Sequence, residues 1–513
     1  MLADGRELAL VDVREELIFS QNHLLLARSV PLSRFELKFA QLVPRRGTRI
    51  VLCDDNDGLA ASAAAILLRN GYANLSILDG GVSAWAAAGF EPFSGVNVPG
   101  KAFGEFIEHA YRTPSIPAAE LEKLLRDHAD IVVLDSRPFD EYSRVSIPTA
   151  INVPGAELVL RAREVAPSPE TTVVVNCAGR TRSIIGAQSL INAGLPNKVF
   201  ALRNGTMGWS LSGFECESGK NRRAPGFSAK TLDWARAAAK RVAQSCGVKQ
   251  VDRPTLETMR ADADRTLYLF DVREPAEYEA GHVAGAISAP GGQLVQATDQ
   301  YAGTLGARIV LVDDAEVRAI MTASWLRQMG WNDVFVLAEA GKETGWPAPP
   351  MLETDTRAKA AIDLASFGDL FARNAATIVD LSLSRDYLKG HIPGAWFAIR
   401  TRLERAFKKI PLRSMLVLTS EEGIVAGLAV AEAQSLVGIP VRALAGGNAA
   451  WKAAGYELTA EPLMADEPVD QWRKPYERSG DTVAAMNEYL KWETDLLPRI
   501  ERDGSLNFSY LRG

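Results

Sequence analysis

Cysteine is scarce, with four residues in a 513-residue chain, Cys53, Cys177, Cys216 and Cys246, and no CxxC pair among them. So few thiols cannot staple a chain of this length, and the pattern fits free thiols in a reducing compartment. Histidine is almost as rare. The five at positions 23, 109, 128, 282 and 391 lack the spacing of metal ligands, so neither a structural zinc nor a catalytic metal is expected. Long apolar runs are absent as well: no stretch approaches the roughly eighteen residues that would cross a bilayer. The opening MLADGRELALVDVREE has neither the basic start nor the apolar centre of a secretion signal. The expectation is a soluble, cytoplasmic protein. Positive charge is in deficit, with a formal net charge of -6. That balance speaks against a nucleic-acid or membrane-surface binder, while leaving room for a local basic site that holds a small anion.

The chain is 47% hydrophobic and 23% charged, ordinary globular composition with length for roughly three or four domains. An apolar run ending in an acidic residue occurs four times, as LALVDVRE, IVVLDSRP, LYLFDVRE and TIVDLSLS, around Asp12, Asp135, Asp271 and Asp380. Each is followed by a Pro- or Gly-punctuated segment and a second apolar run (RIVLCDD, TTVVVNC, ARIVLVDD, SMLVLTSEE). A helical stretch, a third short strand and a tryptophan turn complete the unit. From Asp12 to Trp85, Asp135 to Trp209, Asp271 to Trp346 and Asp380 to Trp451 the separations are 73, 74, 75 and 71 residues. A period held this closely over four units marks a repeat. The strands do not alternate strictly and they take turns with helices, which predicts small parallel sheets covered on both faces. The fold class expected is α/β, four tandem domains, each a small parallel sheet flanked by helices, with a helical C-terminal tail.

These units resemble the rhodanese family of sulfurtransferases. The third carries the family's N-terminal elements most fully, in FDVREPAEYEAGHVAGAISAP: Asp271, Arg273, Glu277, Tyr278 and Gly281 to Ala286. The fourth keeps KGHIPGA but writes DLS for the DxR element, and the second keeps Asp135, Arg137, Glu141 and Tyr142 with VSIPTA in place of GHVAGA. The resemblance covers about 460 residues and implies rhodanese-like domains at 1–97 (N-terminally short), 112–216, 252–350 and 360–462. A helical linker at 217–251 and a tail at 463–513 fall outside it, with further linkers near 95–118 and 350–362. Family members bind sulfur at a loop that starts with a cysteine after a central strand and runs into a helix. Only the second unit matches that loop as a whole, which makes 112–216 the catalytic domain and the other three inactive.

The loop is Cys177, Ala178, Gly179, Arg180, Thr181, Arg182 and Ser183. Counting seventeen residues back from the glycine that ends the next helix gives Cys177, Asp54, Asp313 and Glu421. A one-residue indel would make Cys53 equivalent to Cys177, but its DDNDG neighbours argue against it. A sulfane-sulfur donor such as thiosulfate is a dianion, and a thiol must ionise to attack it, so both steps ask for positive potential. Arg180 and Arg182, with loop N–H groups and the start of a helix, offer it, and such a setting lowers a thiol pKa below about 8.5. DDNDG, DDAEVR and EEG are net negative instead. Like charges about 4 Å apart near a surface cost about 4 kcal/mol. Gly179 is expected to supply a turn that an L-residue resists, Arg182 to open the helix, and Ser183 to cap a free N–H. The spacing is C-x4-R, one residue shorter than the C-x5-R loop that cradles a phosphate or arsenate.

The resemblance implies a ping-pong transfer. Cys177 takes sulfur from thiosulfate or a similar donor as a persulfide, held by Ala178 to Ser183, and passes it to cyanide or a thiol, with no cofactor and no obvious separate base. The partners implied are a small anionic sulfur donor and a thiophilic acceptor, neither nucleic acid nor membrane, with a protein partner or homo-oligomer left open. A persulfide carrier or scaffold is the alternative, and a phosphatase or arsenate reductase stands behind it. Plainer roles are expected elsewhere. Cys53, Cys216 and Cys246 read as small buried hydrophobes, and Asp135, Arg137 and Glu141 as an ion pair fixing a turn. His282 and His391 read as structural, and the four tryptophans as core anchors.

Overall fold

The computed structural model describes residues 1–2, 4–353 and 360–511. Residues 354–359 of the expected third linker, and the last two residues of the tail, lie outside the described residues. Each repeat forms one sheet around a parallel core of three strands. In the second unit Ile131–Asp135 pairs with Thr172–Asn176, which pairs with Val199–Leu202, while Ile151–Asn152 and Ser115–Ile116 close the two edges. The β-branched runs extend because both faces are covered: Val173, Val174 and Val175 are all fully buried.

The sheet of the first unit differs from the other three at its edges. The second, third and fourth units each have an opening strand, Ser115–Ile116, Lys249–Gln250 or Ala361–Ile362, against the third core strand. Among the described residues the first has none there, so Leu75–Ile77 is left as an edge. On its opposite side Thr304–Leu305, from the third unit, pairs antiparallel with Leu8–Asp12. The tail is more than a helix: Leu463–Met464 adds a parallel strand beside Trp396–Phe397 of the fourth unit.

The units associate as two pairs. Residues of the second and third share one apolar core, in which Leu158, Leu190 and Val175 are continuous with Phe270, Leu311 and Trp325. Trp325 Nε1 donates to Ser189 Oγ at 2.9 Å across that seam. The first and fourth units have separate cores, with Leu37 of the first packed against that of the fourth, and also meet through polar contacts, among them the buried pair Arg400–Glu36 at 2.8 Å. Two helices outside the repeats bind the pairs together. Val98–Tyr111 buries Val98, Ala102, Phe103 and Ile107 along one face, and the 22-residue Thr482–Asp503 packs on it.

Tryptophan anchoring holds in two units and fails in one. Trp209 and Trp451 are buried, whereas Trp346 is 56% exposed. Gly205–Leu211 and Gly447–Ala453 are the short helices that carry the buried pair. Among the described residues the third unit forms no corresponding helix after Val334–Leu337, and Pro347, Pro349 and Pro350 crowd the segment instead. His282 and His391 are structural as expected, each stacked on a tyrosine (Tyr278, Tyr387) at ring separations of 4.0 and 3.7 Å. Among the described residues no helix is long and apolar enough to cross a membrane.

Candidate active site

The ladder register aligns the four loops residue by residue. Asp135 pairs with Asn176, Asp12 with Cys53, Asp271 with Val312 and Asp380 with Thr419. The next residues in chain order are therefore equivalent: Cys177, Asp54, Asp313 and Ser420. Counting back from the helix-ending glycine chose Glu421 in the fourth unit. That choice is corrected to Ser420, because the fourth unit's helix, Ile424–Leu436, ends in a different way and shifts the glycine by one position. Cys53 lies inside its strand, in register with Asn176, so no indel brings it into the loop. It is fully buried, and burial with the nearby Asp12 raises its thiol pKa well above the ordinary range. Cys246 is pushed up to about 11 by burial, and Cys216 lies 3.5 Å from Ser210 Oγ.

Cys177 sits at the end of Thr172–Asn176, before the helix Thr181–Asn192, and is 2% exposed. Its Sγ is 3.5 Å from Ser183 Oγ, which itself donates to the Arg180 carbonyl at 2.8 Å. Ser183 thus braces the loop instead of capping a helix N–H. The Cys177 carbonyl accepts from Thr206 N at 2.8 Å and from Thr206 Oγ1 at 3.1 Å, and the Ala178 carbonyl accepts from Met207 N at 3.0 Å. Gly205 (φ +55°) makes this contact possible, since a Cβ there would stand 2.3 Å from the Cys177 oxygen. Gly179 is glycine for a different reason from the one expected. It is not in the left-handed region, and a Cβ on it would meet Met207 Cε at 2.9 Å and Glu493 Oε2 at 3.1 Å.

What fills the cradle separates the loops. In the third unit the Asp313 carboxylate accepts from the N–H groups of Ala315 (3.1 Å), Arg318 (2.7 Å) and Ala319 (3.2 Å). In the first, Asp54 accepts from Asn56 and Ala60, both at 2.9 Å. In the fourth, Ser420 Oγ accepts from Ala426 at 3.3 Å. The corresponding donors in the second unit are Gly179, Arg182 and Ser183, and these have no protein acceptor among the described residues. A thiol is a weak acceptor and leaves them unspent. Converging N–H groups at a helix start are suited to an anion.

The two arginines are less free than the sequence suggests. Arg180 is clamped by carboxylates of Val98–Tyr111: Nε to Glu105 at 2.7 Å, Nη2 to Glu105 at 2.8 Å and also to Glu108, with Nη1 on Asn204 at 3.2 Å. Arg182 donates from Nη1 to Glu141 at 3.2 Å and to Gln293 of the third unit at 2.9 Å, and from Nη2 to Glu141 at 2.9 Å. Burial works against both guanidinium charges, and the carboxylates outweigh it, so both pKa values rise. Burial likewise opposes the Glu141 carboxylate, yet Arg182 and Lys474 hold it well below the usual range. Asp135 and Arg137 do form the expected ion pair, at 2.7 Å. Glu141 is not part of it; it orients Arg182. Thr181 packs outward, with Gly104 so close that a Cβ there would lie 2.9 Å from its Cα.

Several neighbours of the loop come from segments read only as linkers or tail. Lys101, Glu105 and Glu108 follow one another at helical spacing on Val98–Tyr111, a stripe that could have signalled a buried polar face. Lys101 Nζ meets Glu493 Oε1 at 2.9 Å, and Glu493 is fully buried with Oε2 unpartnered. Lys474 Nζ lies 3.2 Å from Glu141 Oε2. Among the described residues no group of three or more His, Cys, Asp or Glu could hold a metal.

Comparison with known proteins agrees with the repeat. A family model described as Rhodanese-like domain matches residues 1–88, 117–212, 254–342 and 363–454. Among solved structures, a thiosulfate sulfurtransferase from Pseudomonas aeruginosa is 48% identical over 100% of this chain and 98% of that chain, with a TM-score of 0.95. The 3-mercaptopyruvate sulfotransferase SseA from Escherichia coli is 18% identical, covering 45% of this chain and 100% of its own, with a TM-score of 0.23. Among curated proteins no sequence matches.

Proposed function

The chain belongs to the rhodanese-like family, and from that premise we propose that it is a sulfurtransferase with one working loop, in which Cys177 carries sulfane sulfur from thiosulfate to a thiophilic acceptor. The observation that carries this reading is the open cradle: Gly179, Arg182 and Ser183 present N–H groups whose counterparts a loop side chain takes at all three positions in the third unit, at two in the first and at one in the fourth. The choice of donor is supported by the full-length likeness to the Pseudomonas aeruginosa enzyme.

In the first half-reaction the Cys177 thiolate attacks the outer sulfur of thiosulfate. A new S–S bond forms at Cys177, the S–S bond within the donor breaks, and sulfite leaves with the electron pair. The persulfide anion is then held by the loop N–H groups, while Arg182 stands within electrostatic reach of Cys177. In the second half-reaction cyanide attacks the outer sulfur and departs as thiocyanate, restoring the thiolate. A thiol acceptor follows the same course to a new persulfide. We place this chemistry in the cytoplasm, a reading supported by four cysteines that are all unpaired.

The test is thiosulfate:cyanide transfer by wild type, Cys177→Ala and Cys53→Ala. The expected result is loss of at least a thousandfold in the first variant and unchanged turnover in the second, and activity surviving in Cys177→Ala would refute the assignment.

A further inference from the structure

We propose that Lys474, which lies beyond the fourth repeat, is a donor-binding residue of the Cys177 site and adds positive charge to that of the loop arginines, which carboxylates offset. This inference rests on the sulfurtransferase reading and extends it to a residue outside the catalytic unit.

The argument begins with charge around the loop. Behind it, Arg180 and Lys101 face Glu105, Glu108 and Glu493, so three carboxylates oppose two cations. That side has no positive charge to offer a dianion. On the side of Arg182, that arginine is matched by Glu141, and Arg137 by Asp135. Without a further cation this side would be neutral. Lys474 is that cation. Its Nζ shares Glu141 Oε2 with Arg182, at 3.2 and 2.9 Å, so two cations surround one carboxylate. Burial and the adjacent Arg182 both lower the Lys474 pKa, which Glu141 and Glu477 oppose. An ammonium held against a second cation gains from a bound dianion, and the lysine side chain remains 31% exposed, open to an incoming ligand.

The segment is built to deliver it. Asp470 Oδ2 accepts from Ser384 N of the fourth unit at 2.6 Å, and Trp472 N donates to Glu16 of the first at 3.2 Å. Pro475 is buried, and Glu477 bridges Arg144 of the second unit and Arg385 of the fourth, each at 3.3 Å. Lys474 is thus fixed between anchors on both sides, with its Nζ 5.9 Å from the centre of the Tyr476 ring. The fourth unit gains a purpose here: it carries the chain back to the second, where Lys474 meets Glu141.

The experiment compares full-length wild type, Lys474→Met and Lys474→Arg with two donors, thiosulfate (a dianion) and benzenethiosulfonate (a monoanion), with cyanide as acceptor. In Lys474→Met the KM for thiosulfate is expected to rise about tenfold, the KM for benzenethiosulfonate about threefold, and kcat to fall far less than either. Lys474→Arg, which retains the charge, is expected to restore most of the thiosulfate KM, and added salt to shrink the difference between wild type and Lys474→Met. An unchanged thiosulfate KM in Lys474→Met, with an active wild type, overturns this proposal alone. Equal increases for both donors, or no rescue by Lys474→Arg, overturn it too, because they point to a disturbed structure. A wild type that moves sulfur from neither donor overturns the sulfurtransferase reading and this one together.

Discussion

The loops that begin at Cys177 and Asp313 stand on the two sides of one shared core and have the same frame. Each follows the second core strand, each opens a helix, and each carries an arginine five residues on, Arg182 or Arg318, paired with a glutamate forty-one residues earlier, Glu141 or Glu277. One residue type differs at the centre, and the difference propagates. Asp313 turns its carboxylate into the cradle and takes the N–H groups itself, so the third unit carries an internal anion where the second can accept an external one. Net negative charge on the loop, the reason first suggested by the sequence, is therefore secondary. The acidic residue acts mainly by occupying the site, and Ser420 takes one of the equivalent N–H groups in the fourth unit without any charge.

The arginines give the sharpest way to break this comparison. Arg318 is buried and surrounded by Asp313, Asp314, Glu157 and Glu277, all between 2.7 and 3.0 Å. Arg318→Met leaves those carboxylates without their cation and is expected to cost about 3–5 kcal/mol of stability, with turnover per folded molecule unchanged. Arg182→Met at the equivalent position removes a partner of Glu141, which keeps Lys474. It is expected to lower kcat/KM for thiosulfate about thirtyfold, about 2 kcal/mol of transition-state stabilisation, with a much smaller loss of stability. Denaturant melts and steady-state kinetics on both variants check the pair. Matching phenotypes would mean that the two loops do the same job.

A smaller effect distinguishes the units by pH. The residue after the DxR element is glutamate in the first and third units, Glu15 and Glu274, and Pro138 or Leu383 in the others. Burial pushes both carboxyls up to about 7. A folded pKa above the unfolded value of about 4.3 means that each stabilises fully below that value and loses its contribution as pH rises through about 7. Tm is expected to fall by roughly 2–4 °C between pH 5 and pH 8, and the double variant Glu15→Gln, Glu274→Gln to flatten that slope. Calorimetry across the range decides it: a slope untouched by the double variant assigns the pH dependence to other groups.

The sequence carries the repeat, the parallel sheets and the position of Cys177, because these depend on local periodicity and on spacing within one unit. What it does not carry lies in contacts between distant segments. Glu105 meets Arg180 from the linker, Gln293 meets Arg182 from the next unit, and Glu493 and Lys474 arrive from the tail, none at a spacing that a motif records. Glu421 was an error of counting, since a helix end is a poor ruler and strand register a good one. Trp346 shows the same lesson: the tryptophan recurs on schedule, but prolines around it prevent the helix that buries its counterparts.

The central claim, that one cradle of four is open to sulfur, is tested most directly by mass. Wild-type protein incubated with thiosulfate, freed of excess donor and measured intact, should gain one sulfur atom per chain, mapping after digestion to the peptide that contains Cys177 and removable by cyanide. Sulfur on Cys53, Cys216 or Cys246 instead, or a gain that persists in Cys177→Ala, would contradict the account.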